Sequence, residues 1–170
     1  MRIIWYMDID QAITGAINIL PKGGQKPIIT YYSGIEGIKK IYIDTLNLPA
    51  GEVIYAFLNP NEVHDALYNW LTSEYIAQRV KNGIQAHVFI TDKHDSPRVA
   101  RYKKLDDKEN RITHIVESYN KPFECEVDIY GGKIAFINYN PKAEIMGIII
   151  NHPIIASTLK AFYLHYLWKI

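Results

Sequence analysis

The pattern of apolar and polar positions predicts an α/β protein. Short runs rich in β-branched and aromatic residues alternate with longer segments in which apolar residues recur every three or four positions. Three such runs, at residues 28–32, 53–58 and 84–91, are separated by predicted helices over 35–48 and 59–81. This β-α-β-α-β order is typical of parallel strands that are joined by crossover helices.

The second half of the chain predicts hairpins instead. A further helix over residues 96–105 precedes several apolar runs, and a last helix is predicted over 153–168. Gly131 and Gly132 separate two of the runs and give a strong tight-turn signal. The predicted strands cover residues 111–117, 123–130, 133–139 and 145–150. We therefore expect one mixed sheet flanked by helices, with a parallel first half and antiparallel hairpins in the second half.

Residues 1–26 are predicted to form a helix and a linker ahead of a single domain at residues 27–170. A helix over 8–20 places its apolar residues on one side, and the breaker cluster at 21–27 ends it. The apolar residues at helical spacing are Ile9, Ile13, Ala16, Ile17 and Leu20. A chain of 170 residues is long enough for one domain with a sizeable core.

Composition and charge narrow the classes of partner. The chain carries 19 Lys and Arg against 18 Asp and Glu, so its charge does not indicate the concentrated basic face that nucleic acid requires. No apolar run approaches the roughly 18 residues that a membrane-spanning helix needs. The one cysteine, Cys125, fits a reducing compartment. We expect a cytoplasmic protein with no direct DNA contact and no membrane partner.

Three acidic residues alternate along one predicted strand. Glu124, Glu126 and Asp128 share one face of it, because successive side chains of a strand point to opposite sides. Such a face can form the floor of a cation or polar-ligand site, but a half-exposed strand opposite Cys125 and Val127 has the same alternation. We interpret this face as solvated and keep Glu124 and Glu126 as candidate ligand-binding residues.

A second candidate site follows the third predicted strand. Asp92, His94 and Asp95 lie where the crevice of an open α/β sheet usually opens. These side chains can bind a metal ion or a small ligand, although loop composition alone also explains them. The six histidines lack the paired spacing of a zinc site, so no metal and no cofactor is predicted. His87 and His114 fall in predicted strands and are expected to be hydrogen-bonded structural residues.

The segment at residues 127–137 resembles a known family. In it two apolar strands flank the turn Tyr130-Gly131-Gly132-Lys133. This arrangement is similar to the middle, phospholipase-D-like domain of the TrmB family of transcriptional regulators. The further motifs that agree in order are Tyr31-Tyr32-Ser33-Gly34-Ile35-Glu36-Gly37-Ile38, the step from Gly147 to Asn151, and the ending Leu167-Trp168. The resemblance covers about residues 27–169 and implies a phospholipase-D-like fold.

The resemblance also implies that catalysis is absent. Catalytic phospholipase-D domains carry a histidine, a lysine two residues on, and an aspartate seven residues on, just before the glycine turn. Glu124, Glu126 and Gly131 stand at those three positions here. A carboxylate in place of the lysine would repel a phosphodiester instead of stabilising its charge. No other His-x-Lys occurs in the chain.

The function that the resemblance implies is a ligand-sensing or dimerising domain of a TrmB-like regulator that responds to a small-molecule effector. The winged helix-turn-helix of such regulators has no room in the first 26 residues. Two alternatives stay open: a metal-dependent or other enzyme that uses Asp92, His94 and Asp95, and a stand-alone protein-interaction module. Aromatic residues near both termini favour a homodimer, since interfaces are enriched in Tyr and Trp. They are Trp5, Tyr6, Tyr163, Tyr166 and Trp168.

Overall fold

The computed structural model describes residues 26–91, 96–116, 124–139 and 144–167, and within them seven strands form one sheet. The strands are β1 (Ile28–Ser33), β2 (Val53–Leu58), β3 (Gln85–Thr91), β4 (Arg111–Val116), β5 (Cys125–Tyr130), β6 (Lys133–Asn138) and β7 (Met146–Asn151). The helices of the described residues are α1 (Gly34–Thr45), α2 (Asp65–Trp70), α3 (Ile76–Lys81), α4 (Pro97–Leu105) and α5 (Pro153–Leu167). A π-helical turn, Leu71–Tyr75, joins α2 to α3.

The sheet is mixed, as the sequence predicts. Its strand order is β1-β7-β6-β5-β2-β3-β4. β2, β3 and β4 run parallel to one another, whereas β5 pairs antiparallel with β2 and continues into the β5-β6-β7 hairpins. β5 is therefore the strand at which parallel pairing changes to antiparallel pairing.

The first strand does not belong to the parallel group that the sequence predicts. β1 pairs antiparallel with β7 at one edge of the sheet, and Tyr32 lies opposite Gly147. A Cβ atom at Gly147 would lie 2.4 Å from Cδ1 of Ile41, so the missing side chain lets α1 pack closely onto β7. Because α1 follows β1 directly, this close packing keeps β1 beside β7. The place next to β2 is taken by β5.

Helices cover both faces of the sheet. On the first face, Ile38 and Ile41 of α1 join Leu67 of α2 in one core cluster with side chains of β2, β6 and β7. α4 adds Val99 above β2, β3 and β4 on the same face. On the second face α5 places the fully buried Tyr163 against β2, β3, β5 and β6.

The long second helix begins later than its sequence predicts. Residues 59–64 form turns, and α2 begins after His64, whose Nδ1 accepts a hydrogen bond from the Ala66 N–H at 3.2 Å. The Asn59 side chain accepts instead from the Asn61 N–H at 3.1 Å, which closes a local turn that competes with a helix start. The predicted end is confirmed, since α3 stops at Lys81 and Gly83 has a φ of +71°.

Two other local predictions are confirmed. Ser96 caps α4 by accepting from the Val99 N–H at 3.2 Å, and a proline occupies the first turn of that helix. Gly131 and Gly132 have φ values of +48° and +77° in the tight turn between β5 and β6. The predicted helix over 8–20 lies outside the described residues.

The packing of α1 on β7 is open to a direct test. We expect Gly147→Ala to lower the free energy of unfolding by about 1–3 kcal/mol, because the added methyl group overlaps Ile41 and Ile38. Urea denaturation measures the change, and Thr30→Val on exposed β1 is the control, with an expected effect within about 0.5 kcal/mol. Equal midpoints for Gly147→Ala and the parent protein would contradict this account.

Candidate functional site

Two carboxyl groups lie buried in the middle of the sheet. Glu126 and Asp128 on β5 are 3% and 2% exposed. The interpretation of this strand face as solvated is therefore wrong for both residues, and Glu124, just before β5, is exposed as expected. The physical reason is the position of β5: it has neighbours on both sides, and helices cover both of its faces, so neither face meets solvent.

Hydrogen bonds compensate the burial of Glu126. Tyr42 of α1 donates to its Oε1 at 2.9 Å, and Tyr139, just after β6, donates to its Oε2 at 2.6 Å. The two tyrosine hydroxyls also contact each other. The side chain of Asp128 forms a further hydrogen bond with Glu126. A carboxyl–carboxylate hydrogen bond requires an acid proton on one partner.

Asp128 is the member of the pair whose pKa is raised more strongly. Burial raises the pKa of Asp128 well above its usual range, and the adjacent charge of Glu126 raises it further. Burial also raises the pKa of Glu126, but hydrogen bonds from Tyr139, Tyr42 and Asp128 oppose that change. These hydrogen bonds favour Glu126 as the ionised member of the pair and Asp128 as the protonated one. Among the ion pairs of the described residues, none includes Glu126 or Asp128.

The carboxyl pair faces a cavity of about 70 Å³ between the sheet and the helices. Small side chains on β2 and β3 leave this space open, among them Ala56, Ala86 and Val88. Leu71 and Tyr75 of the π-helical turn form part of its wall. π-helical turns inside α-helices are frequent at functional sites. Tyr75 also shares a 2.7 Å hydrogen bond with Thr45, so this turn is tied to α1.

Arg79 of α3 also lines the cavity and is only 2% exposed. Its guanidinium donates to backbone carbonyls: to Ile84 at 2.7 Å, to Asn110 at 3.2 Å and to Glu109 at 2.5 Å. Burial lowers the pKa of Arg79. These contacts hold the guanidinium in place with carbonyl oxygens as its hydrogen-bond acceptors.

Arg111 on β4 contributes a second guanidinium to the cavity lining. Its Nε donates to Asp106 at 2.8 Å, Nη1 pairs with Glu109, and Nη2 donates to the Tyr102 carbonyl at 2.5 Å. The guanidinium also lies 4.3 Å from the ring centroid of Tyr102. Arg101 pairs with Glu109 at 2.6 Å, which extends the network. The cavity thus has carboxyl groups on its β5 side and guanidinium groups on its α3 and β4 side.

The structure brings only part of the predicted site together. Glu126 belongs to the carboxyl pair, whereas Glu124 lies exposed where the chain enters β5. Asp92, His94 and Asp95 lie outside the described residues. Within the described ranges, no group of three His, Cys, Asp or Glu side chains is placed to hold a metal ion.

Arg79 is a site residue that the sequence analysis missed. Leu71, Tyr75 and Arg79 recur at intervals of four on the buried side of the second helix, and an arginine in such an apolar stripe is a usable signal. His87, expected to be a hydrogen-bonded structural residue, lies near Gln85 Oε1 at 3.1 Å, although its buried Nδ1 has no hydrogen-bond partner in the described structure. His114 packs against Phe89, with ring centroids 5.1 Å apart.

Solved structures share this architecture, although no protein-family model and no curated protein sequence matches the chain. NucT from Helicobacter pylori superposes with a TM-score of 0.60 at 10% identity, over 84% of this chain and 96% of that one. Phosphatidylserine synthase from Haemophilus influenzae Rd KW20 superposes with a TM-score of 0.57 at 15% identity, over 92% of this chain and 40% of that one. The chain thus resembles phospholipase-D-like proteins in its fold, and the mixed α/β class agrees with the expected one.

A TrmB-like protein is also similar. TrmBL2, an archaeal chromatin protein, matches with a TM-score of 0.56 at 13% identity, and the match covers 95% of this chain. The chain spans 58% of the length of TrmBL2. At such identities the likeness concerns the fold, and the expected fold class is thereby supported. Among the described helices, none is long and apolar enough to cross a membrane.

The acid proton of Asp128 predicts a pH-dependent stability. Its folded-state pKa lies above the unfolded value of 3.8, so its contribution is complete below that pH and is lost as pH rises toward the folded pKa. We expect the free energy of unfolding to fall as pH rises from about 4 toward the folded-state pKa, by up to about 1.4 kcal/mol per pH unit, and to fall less steeply in Asp128→Asn. Chemical denaturation across this range measures both slopes. Exposed Glu124→Gln should keep the parent slope; an unchanged slope in Asp128→Asn would count against the shared proton.

Proposed function

We propose that the chain is a non-catalytic, regulator-type domain whose cavity binds a small amine-bearing effector beside Glu126 and Asp128. One observation supports this site above all: a buried carboxyl pair faces an open cavity without an ion-pair partner among the described residues. Apolar cavities with a few converging polar groups are the usual form of small-molecule sites.

The charge of the pair indicates the class of effector. Buried charges in proteins are normally paired, yet the negative charge of Glu126 and Asp128 is balanced here by tyrosine hydroxyls and a shared proton. An ammonium group brings a positive charge and three N–H donors to such a pair. Its approach favours ionisation of Asp128, because an opposite charge nearby stabilises the carboxylate.

The dimensions of the cavity limit the effector to a few heavy atoms. About 70 Å³ corresponds to roughly two waters at the volume each occupies in the liquid. Arg79 on the opposite side adds a positive potential, because its guanidinium donates to backbone carbonyls and not to a carboxylate. A small zwitterion, with its ammonium toward Glu126 and its carboxylate toward Arg79, matches both sides. Methylammonium and glycine are probes of this size.

A route from the cavity to the rest of the domain supports a regulatory role. Tyr42 of α1 donates a hydrogen bond to Glu126 of the carboxyl pair. Tyr75 links the π-helical turn to Thr45 at the end of the same helix. A bound ammonium competes for the hydrogen bonds of Tyr42 and thereby acts on the position of α1. The fold that the chain shares with TrmBL2 is in keeping with a regulator-type domain. The proposal includes no direct DNA contact, in keeping with the balanced charge of the chain.

Effector binding predicts a ligand-dependent shift in thermal stability. At pH 7 and constant ionic strength, we expect methylammonium or glycine to raise Tm in a saturable manner, because a ligand that binds only the folded state stabilises it. Acetate should leave Tm unchanged. Differential scanning fluorimetry measures the response, which Glu126→Gln should abolish and the matched surface variant Glu124→Gln should retain.

Two results would overturn the proposal. An equal response in Glu126→Gln would exclude the carboxyl pair as the site. Turnover of a phosphodiester that is lost in Glu124→Ala or Glu126→Ala would show that the domain is catalytic, and it would then act at the positions where phospholipase-D enzymes carry their histidine and lysine.

We also propose that the expected homodimer forms through the edge of the sheet. β1 is an edge strand of the described sheet, and Ile28, Ile29 and Tyr31 on it are 64%, 59% and 52% exposed. An exposed apolar edge strand without a lysine or proline inside it pairs readily with another strand. Antiparallel pairing of β1 with β1 of a second copy continues the sheet across a two-fold axis.

Light scattering after size exclusion tests this pairing. We expect a mass twice the 19.6 kDa of one chain, and a single-chain mass for Ile28→Lys, because an edge lysine opposes strand pairing. Ile154→Lys on α5, where the side chain is 72% exposed, is the control and should stay dimeric. A parent protein with the mass of one chain, or a dimeric Ile28→Lys variant, would exclude the β1 interface.

A further inference from the structure

A second cavity lies at the end of the sheet where β2 begins and where the turn between β5 and β6 reverses the chain. Its volume is about 360 Å³, and it shares no lining residue with the cavity beside Glu126 and Asp128. Its walls are the start of β2, the turn at Gly131 and Gly132, and the first two turns of α5. Pockets for small molecules have volumes of roughly 300–1,000 Å³, so this cavity has room for a small organic ligand.

Lys160 of α5 brings a positive charge into the cavity lining. Its Nζ lies 4.7 Å from the ring centroid of the buried Tyr55, and this cation–π contact holds the ammonium group over the ring. Among the hydrogen bonds and ion pairs of the described residues, none includes this ammonium group. α5 contains no acidic residue, and the side chains that this face of β2 and β5 adds to the lining are Val53, Tyr55 and Ile129.

The electrostatic surroundings of Lys160 are positive. Glu52 is the one acidic residue among the described residues of the lining, and its side chain is exposed just before β2, where water weakens its field. His87 of β3 lies on the same face as Lys160. Burial lowers the pKa of this imidazole, and the charges of His114 and Lys160 lower it further. The positive charge of Lys160 is thus not neutralised where His87 lies.

Contacts between protein groups hold the walls of the cavity in place. Tyr130, a lining residue, donates to Asp44 at 2.9 Å, and Lys133 pairs with the same carboxylate at 2.7 Å. The His152 N–H donates to the Gly132 carbonyl at 3.2 Å, which joins the start of α5 to the turn between β5 and β6. The cavity is therefore formed by the fold itself, as most small-molecule sites are.

We propose that this cavity binds a small organic carboxylate, with its charged group paired to Lys160 and its hydrocarbon body against the apolar walls. A half-buried ammonium group that has no counter-charge gains most from an anionic hydrogen-bond acceptor. Val53, Ile129 and Ala156 offer the hydrocarbon body an apolar surface. The volume equals that of roughly twelve waters in the liquid, which limits the body to about one ring. This site is additional to the proposed amine site.

Benzoate, a carboxylate on one aromatic ring, is the probe. At pH 7 and constant ionic strength, we expect isothermal titration calorimetry of the full chain to show saturable benzoate binding. Lys160→Gln should weaken it by about tenfold or more, because a hydrogen bond between two charged groups is lost. Lys160→Arg should retain it. Lys40→Gln makes the same charge change on exposed α1 and should keep the parent affinity, and Glu52→Gln should bind at least as tightly. Equal affinity in Lys160→Gln and the parent, or no saturable binding by the parent, would overturn the proposal.

Two other probes separate the charge of the ligand from its ring. Benzyl alcohol has the ring without the charge, and acetate has the charge without the ring. Each should bind more weakly than benzoate by about tenfold or more. Benzyl alcohol as tight as benzoate would exclude pairing with Lys160, and acetate as tight as benzoate would exclude the apolar walls as part of the site.

The imidazole of His87 reports where benzoate binds. A bound carboxylate opposes the charge of Lys160, so saturating benzoate should raise the pKa of His87, as measured by NMR titration of its ring protons. An unchanged pKa of His87 at saturation would place the ligand elsewhere and overturn the proposal. Glu126→Gln should bind benzoate like the parent although it loses the response to methylammonium, so each of the two sites can fail without the other.

Discussion

The structure depends on the burial of the Glu126–Asp128 carboxyl pair beneath α1. Two ionisable groups on one strand are costly to bury, and the fold offsets that cost with hydroxyl donors from two separate elements and with a shared proton. Tyr42 comes from α1 and Tyr139 from the end of β6, so the hydrogen bonds tie the first helix to the hairpin half of the sheet. Removing either tyrosine hydroxyl would take away one of the hydrogen bonds that compensate the burial of Glu126.

The position of β5 in the sheet places the carboxyl pair beside the cavity. β5 lies where the parallel strands β2, β3 and β4 meet the antiparallel hairpins. The face of β5 that carries Glu126 and Asp128 borders the cavity that the small side chains of β2 and β3 leave open. The cavity therefore combines carboxyl groups from one half of the sheet with guanidinium groups that are held near the other half. Arg79 and Arg111 keep their positions through backbone carbonyls and a carboxylate network, which makes their charge a fixed part of the site.

Local signals in the sequence led to most of the elements. Residues with strong local preferences indicated three features. Ser96 caps α4, Gly131 and Gly132 form the turn between β5 and β6, and Gly83 follows the end of α3. The start of α2 was misplaced because Asn59 and Pro60, which favour a helix start, equally favour a turn. The solvated interpretation of Glu126 and Asp128 failed for a different reason. Alternation shows which residues share a face of a strand, but not whether a helix covers that face.

Local propensity and apolar periodicity were sufficient to determine the α/β class, the mixed sheet and most helix and strand positions, because these depend on neighbours within a few residues. The resemblance of the glycine turn to phospholipase-D-like domains was also readable in the sequence, and the fold agrees with it. Only the tertiary structure decided that β1 pairs with β7, that Glu126 and Asp128 are buried, and that Arg79 and Arg111 line the same cavity. Those contacts join residues far apart in the chain. They depend on tertiary packing, such as the close approach of α1 to β7 at Gly147, which no local sequence pattern indicates.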